Sequence, residues 1–189
     1  MKIILASGSP RRREILESFG FEVTVVPSAK ENPAPSGLSA EDTVQFLAVE
    51  KGLEAKEKYF DEVVVSADTV VVLDSEIMGK PRDKEDAKRM LSAMSGRTHR
   101  VLTAYAVFYK GKSFSKVVST EVRCYPLSDE ELEWYLDTNE PYDKAGAYAI
   151  QGLSSKFVRK IDGCYFNVVG LPIFKLYKTA LNEFGVRLY

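Results

Sequence analysis

Three consecutive apolar residues, Ile3, Ile4 and Leu5, stop at a small polar turn and predict a short strand over residues 2–6. The next rhythm is helical. Ser9 is a suitable N-cap, Pro10 takes the first helical position, where a missing N–H costs nothing, and Ile15, Leu16 and Phe19 recur on one face until Gly20. The run from Phe21 to Val26 predicts a strand, and residues 27–38, rich in Pro, Ser and Gly, predict a loop containing Glu31. Ser39 and Asp42 have cap spacing, so a helix is expected to run to about Tyr59. In FDEVVVSADTVVVLD, two β-branched runs flank the polar tetrad from Ser66 to Thr69, which predicts a strand edge or bend that displays Asp68.

Further on, GKPRD (79–83) is a turn, Asp83 to Met94 a helix, and Gly96 its terminator. VLTAYAVFY and FSKVVSTEVRCY, joined at Lys110-Gly111, predict a long antiparallel hairpin. Ser128 and Glu131 form a capping box before a helix with Leu132, Tyr135 and Leu136 on its inner face. Strands are expected around Phe157–Lys160 and Tyr165–Val168, with a turn at Asp162-Gly163, and a last helix from Pro172 to about Phe184. The pattern predicts an α/β fold, a mixed twisted sheet with flanking helices forming two lobes around a central cleft. No repeat, low-complexity tract or free linker divides the 189 residues, so one domain, 1–189, is expected.

Charge changes this picture only locally. With 45% apolar residues, 28% charged residues and a formal net charge of −1, the chain has no broad basic face for nucleic acid. Any cationic function must be concentrated. No run reaches membrane-spanning length and the N-terminus is the reverse of a secretory signal, so a cytoplasmic protein without a membrane partner is expected. Cys124 and Cys164 lack metal-ligand spacing and read as two buried free thiols, and His99 is the sole histidine. A bound metal is therefore expected to be a hard cation on carboxylates.

Positive charge is concentrated at LASGSPRRREIL, where Arg11, Arg12 and Arg13 occupy a first helical turn that ordinarily favours acidic residues. Ser7, Ser9, Arg11 and Arg12 at a strand-to-helix junction suit an anion, because helix N–H groups, the dipole and guanidinium forks all favour phosphate oxygens. Arg13 reads as surface charge. The glycines of a phosphate loop are missing, so side chains must do most of the holding. Glu31 and Asp68 are the candidate carboxylates for a divalent cation. Gly79 and Pro81 fix the chain around Lys80 as a phosphate contact requires, and the SGRTH turn presents Arg97 and His99 together. Lys51, Asp143, Lys144 and Gln151 complete the candidates.

LASGSPRR (5–12), Glu31, Lys51, SADTVV (66–71), GKP (79–81), LSAMSGRTHRVLTA (91–104), EPYDKAGAYAIQG (140–152) and VVGLPI (168–173) together resemble, in order, the Maf nucleotide pyrophosphatases, also called the septum formation inhibitor family. The resemblance implies the Maf/ITPase-like fold and hydrolysis of a nucleoside triphosphate to the monophosphate and pyrophosphate with Mg²⁺, Mn²⁺ or Co²⁺. It implies Asp68 as general base, Lys51 and Lys80 as catalytic cations, and Glu31 with Asp68 at the metal. Ser7, Arg11, Arg12, Thr69, Arg97, Asp143, Lys144 and Gln151 would contact substrate. Arg12, Thr69 and Gln151 match the dTTP/UTP branch. Gln151 offers a carbonyl and an amide to the O4 and N3–H edge that thymine and uracil share. The family's older name implies the alternative of a non-catalytic nucleotide-binding regulator of septum formation, and the resemblance leaves room for a homodimer.

Overall fold

The computed structural model describes residues 2–28 and 32–188. In chain order the elements are β1 (Lys2–Leu5), α1 (Pro10–Ser18), β2 (Glu22–Val25), α2 (Ala40–Lys58), β3 (Val63–Leu73), β4 (Glu76–Met78), α3 (Lys84–Met94), β5 (Thr98–Tyr109), β6 (Lys112–Cys124), α4 (Asp129–Leu136), β7 (Val158–Asp162), α5 (Tyr165–Val169) and α6 (Ile173–Phe184). Short 3₁₀ turns at Pro141–Asp143, Ala145–Ala147 and Leu153–Phe157 lie between α4 and β7. The strands follow the order β2-β1-β3-β5-β6-β7, with β4 paired on β3. This is the mixed α/β sheet with helices that the residue pattern predicts.

Two compact units divide the chain: Met1–Asp68 with Thr103–Val118 and Gly170–Tyr189, and Thr69–Leu102 with Ser119–Val169. In the first, β1 runs parallel to β2 on one side and to β3 on the other, with Ile3, Ile4 and Leu5 opposite Val63, Val64 and Val65. Parallel pairing buries both faces of a strand. Accordingly Ile3, Ile4 and Leu5 are fully buried. The helix α6 closes this unit with Ile173, Leu176, Thr179 and Ala180 inward. It ends in a Schellman turn, where Gly185 at φ 67° donates to the Leu181 carbonyl and Val186 to that of Ala180.

In the second unit, Met90, Leu91 and Met94 of α3 share a core with Leu132, Tyr135 and Leu136 of α4. The Ser128 hydroxyl accepts from the Glu131 N–H while the Glu131 carboxylate accepts from the Ser128 N–H, a complete capping box worth about 1 kcal/mol.

Two expectations are corrected. The tetrad from Ser66 to Thr69 does not interrupt a strand, because β3 is continuous from Val63 to Leu73. Its polar groups find partners on α2: the Ser66 hydroxyl donates to the Ala48 carbonyl at 2.5 Å, and Lys51 Nζ donates to Asp68 Oδ1 at 2.6 Å. Residues 165–168 form helix α5 rather than a strand. Buried Asn167 anchors it, donating to the Val101 carbonyl at 2.9 Å and the Thr120 hydroxyl at 3.0 Å.

The approach of α2 to β3 depends on Gly52. A Cβ there would overlap the Phe108 ring and lie 2.8 Å from the Ser66 hydroxyl. Gly52→Ala is expected to destabilise the protein by about 1–3 kcal/mol through overpacking. It should also lower turnover, because the helix would carry Lys51 away from Asp68. Urea denaturation together with steady-state kinetics checks both effects.

Candidate active site

Within the first unit, the β1–α1 junction answers why arginines open a helix. No acidic residue occupies the first turn of α1. Arg12 is buried, and its Nε donates to the Gly170 carbonyl and its Nη1 to the Ser7 hydroxyl, both at 2.9 Å. The Ser9 N–H also reaches the Ser7 hydroxyl, at 3.3 Å. Ser9 occupies the N-cap position, but its side chain makes no capping bond. Arg12 therefore ties the Ser7-Gly8-Ser9 turn to the chain entering α6. Arg13 pairs with Glu17 one turn on, at the surface, as expected of solvated charge. Arg11 is left half-exposed at the helix start.

The second feature is the Asp68–Lys51 pair. Ser66 and Asp68 share a face of β3, since side chains alternate along a strand. Ala48 and Lys51, three residues apart on α2, meet them. Only 14% of the Asp68 side chain and 15% of that of Lys51 are exposed. Asp68 is thus mostly covered rather than displayed at a bend, and its carboxylate is held in one direction by a charge-assisted bond.

Thr69, next on β3, begins the second unit and is half-buried. There Lys80 is exposed between Gly79, whose carbonyl accepts from the Gly146 N–H at 2.9 Å, and buried Pro81. Gly146 adopts φ 68°, and a Cβ on it would sit 3.0 Å from the Val71 side chain, so backbone alone fits against β3. The segment that carries Asp143 and Lys144, which pair with each other, is thereby set beside the Lys80 loop. Gln151 is exposed, two residues beyond buried Ala149.

Two candidates are placed otherwise than their sequence neighbourhood suggests. Arg97 and His99 are not presented together: Arg97 is exposed and grips both Asp74 carboxylate oxygens at 2.8–2.9 Å, whereas His99 is 2% exposed. The His99 Nε2 pairs with the Tyr148 hydroxyl at 2.7 Å, and Nδ1 has no partner among the described residues. Burial lowers the His99 pKa to about 4 and raises that of Cys124 to about 11. Cys124 is a buried free thiol as expected, but Cys164 is only half-buried. Glu31 lies outside the described residues.

Residues 2–183 match the profile of the family described as Maf-like protein. The chain belongs to that family. Over 99% of its length it is 46% identical to a dTTP/UTP pyrophosphatase of Caldanaerobacter subterraneus subsp. tengcongensis, of which it covers 91%. A dTTP/UTP pyrophosphatase of Halalkalibacterium halodurans is 44% identical to it over 90% of each chain. Among solved structures, a HAM1 protein from Coxiella burnetii aligns with 98% of this chain and 93% of its own length, at a TM-score of 0.48 and 11% identity.

For a Maf protein, the donor set defines what metal the site could take. Among the described residues, no group of three or more His, Cys, Asp or Glu side chains could hold an ion. That does not suit a preformed protein cage. A hard cation that keeps several waters and binds through one or two carboxylates plus substrate phosphates needs no such group. The chain has no described helix long and apolar enough to cross a membrane.

Sequence reasoning missed Gly52, although a lone glycine inside a 19-residue helix is itself a signal. It also missed Glu140, whose partners lie 13 and 14 residues further along the chain.

Proposed function

We propose that this Maf protein hydrolyses dTTP and UTP to the nucleoside monophosphate and pyrophosphate. The observation that carries the reading is the mostly covered Asp68–Lys51 pair at 2.6 Å, a carboxylate with a fixed direction and an adjacent ammonium. The printed activity of relatives more than 40% identical over nearly the whole chain supports the same substrate class.

In this reading Asp68 orients a water and accepts its proton as the oxygen attacks the α phosphorus in line. The bond from the α phosphorus to the bridging oxygen breaks, and pyrophosphate carries away the electron pair. Lys51 holds Asp68 in position. In the first unit Arg11 and the N–H groups opening α1 offer positive charge to phosphate, and in the second Lys80 and Lys144 offer the same. Arg12 fixes the Ser7-Gly8-Ser9 turn from behind. Arg97, its guanidinium oriented by the pairing with Asp74, is a further substrate contact, and Asp143 steadies Lys144. A Mg²⁺, Mn²⁺ or Co²⁺ ion bound with the triphosphate would neutralise phosphate charge, with Asp68 and Glu31 as its carboxylates.

Thr69 and Gln151 are the base-side residues. The Gln151 amide can match the O4 and N3–H edge of uracil and thymine, whereas cytosine reverses both groups. An unpaired polar edge costs about 1–3 kcal/mol, so a roughly tenfold to hundredfold preference for UTP over CTP is expected. Turnover of dTTP, UTP, CTP and GTP by wild type and Gln151→Ala, with identification of products, tests this. Preference for CTP or GTP, or release of orthophosphate, would overturn it.

A further inference from the structure

One carboxylate in the second unit is used far more heavily than its neighbours. Glu140 follows α4 and immediately precedes buried Pro141. Its Oε2 accepts from the Leu153 N–H at 2.8 Å. Its Oε1 meets the Ser154 N–H at 3.1 Å, the Ser154 hydroxyl at 3.0 Å and the Tyr135 hydroxyl at 3.1 Å. The chain approaches so closely that only glycine fits at 152: its φ is 144°, and a Cβ would overlap the carboxylate, 2.8 Å from Oε1. Ser154 is fully buried and also accepts from the Ala149 N–H at 2.9 Å. Residues 149 and 154 are thus stapled together, and the exposed Gln151 sits at the crown of the loop between them.

We infer that Glu140 is a positioning residue for base recognition, clamping the 149–154 loop so that Gln151 meets the pyrimidine edge at a fixed distance and direction. This rests on the reading of Gln151 given above. Burial alone would push the Glu140 carboxyl up, but the Leu153 and Ser154 N–H groups and the Ser154 and Tyr135 hydroxyls outweigh it and hold the group below its ordinary value. The clamp is therefore charged at neutral pH, and each donor on it is charge-assisted. Glutamine in its place keeps the shape but turns one acceptor into an NH₂ that faces donors. The loop would then loosen without loss of any group proposed to touch the phosphates.

The test compares wild type, Glu140→Gln, Gln151→Ala and the double variant on UTP and CTP, with thermal melts of each. Glu140→Gln is expected to raise KM for UTP about tenfold with kcat changed less than threefold, and to lower the UTP over CTP preference. The double variant should discriminate no worse than Gln151→Ala alone, because the clamp acts through that side chain. A Glu140→Gln protein that melts lower yet keeps the full preference, while Gln151→Ala has lost it, would overturn the inference and leave the Gln151 reading standing. Full preference in Gln151→Ala would overturn both. If Glu140→Gln does not fold, Tyr135→Phe, which deletes one donor only, is expected to shift KM two- to threefold in the same direction, and an unchanged KM and preference would count against the clamp.

Discussion

Asp68→Asn is expected to lower kcat on UTP and dTTP by roughly a thousandfold, within the range that removal of a general base produces. The substitution keeps the shape of the side chain, and its carbonyl can still accept from Lys51, so the contact between α2 and β3 survives. The charge that takes up the water's proton does not. Stability should change by about 1–2 kcal/mol, the difference between a charged and a neutral acceptor for one ammonium. KM should change little if Arg11, Lys80 and Lys144 hold the phosphates. Single-turnover kinetics at saturating UTP, alongside a urea melt, separates the chemical step from folding. A variant with normal stability and undiminished turnover would remove Asp68 from the chemistry.

The second large effect concerns stability against pH. His99 is the sole histidine, its pKa is lowered by burial from 6.5 to about 4, and among the described residues Nδ1 has no acceptor for the N–H that protonation would create. Between those two values the unfolded chain binds a proton that the folded chain excludes. Stability is therefore full above about pH 6.5 and falls as the pH drops towards 4, by about 3 kcal/mol in all. The neighbouring Tyr148 and Cys124 titrate far above this window, both pushed up by burial, and stay neutral through it. Urea midpoints from pH 7.5 to 4.5 should show this slope in wild type. It should be flattened in His99→Gln, where the amide can still reach the Tyr148 hydroxyl but cannot titrate. Equal slopes in the two proteins would assign the acid sensitivity to carboxylates instead.

Much of the fold was legible because its boundaries are written in local chemistry. Ser39, Asp83 and Ser128 each accept the backbone N–H three residues on, and the Lys110-Gly111 turn sits where the hairpin needs positive φ. What could not be read locally depended on distant partners. The SADT tetrad looks like a break until Ala48 and Lys51 of α2 satisfy it, and residues 165–168 look like a strand until Asn167 finds Val101 and Thr120. The same holds for the site. Asp68 and Lys80 stand out as charges in odd places, Lys51 is an ordinary helix lysine until the fold brings it to Asp68, and the burial of Arg12 against Gly170, 158 residues away, leaves no trace in LASGSPRR. Glu140 next to proline looks like an ordinary turn residue, and its four donors become neighbours only when the chain closes.

The central claim is attack by water at the α phosphorus, and hydrolysis of UTP in ¹⁸O-labelled water tests it most directly. Mass spectrometry of the products should find the label in UMP and none in pyrophosphate. Label in pyrophosphate would mean attack at the β phosphorus, and label in orthophosphate would mean attack at the γ phosphorus with UDP as co-product. Either result would contradict the role assigned to Asp68 and the phosphate-binding arrangement built around it.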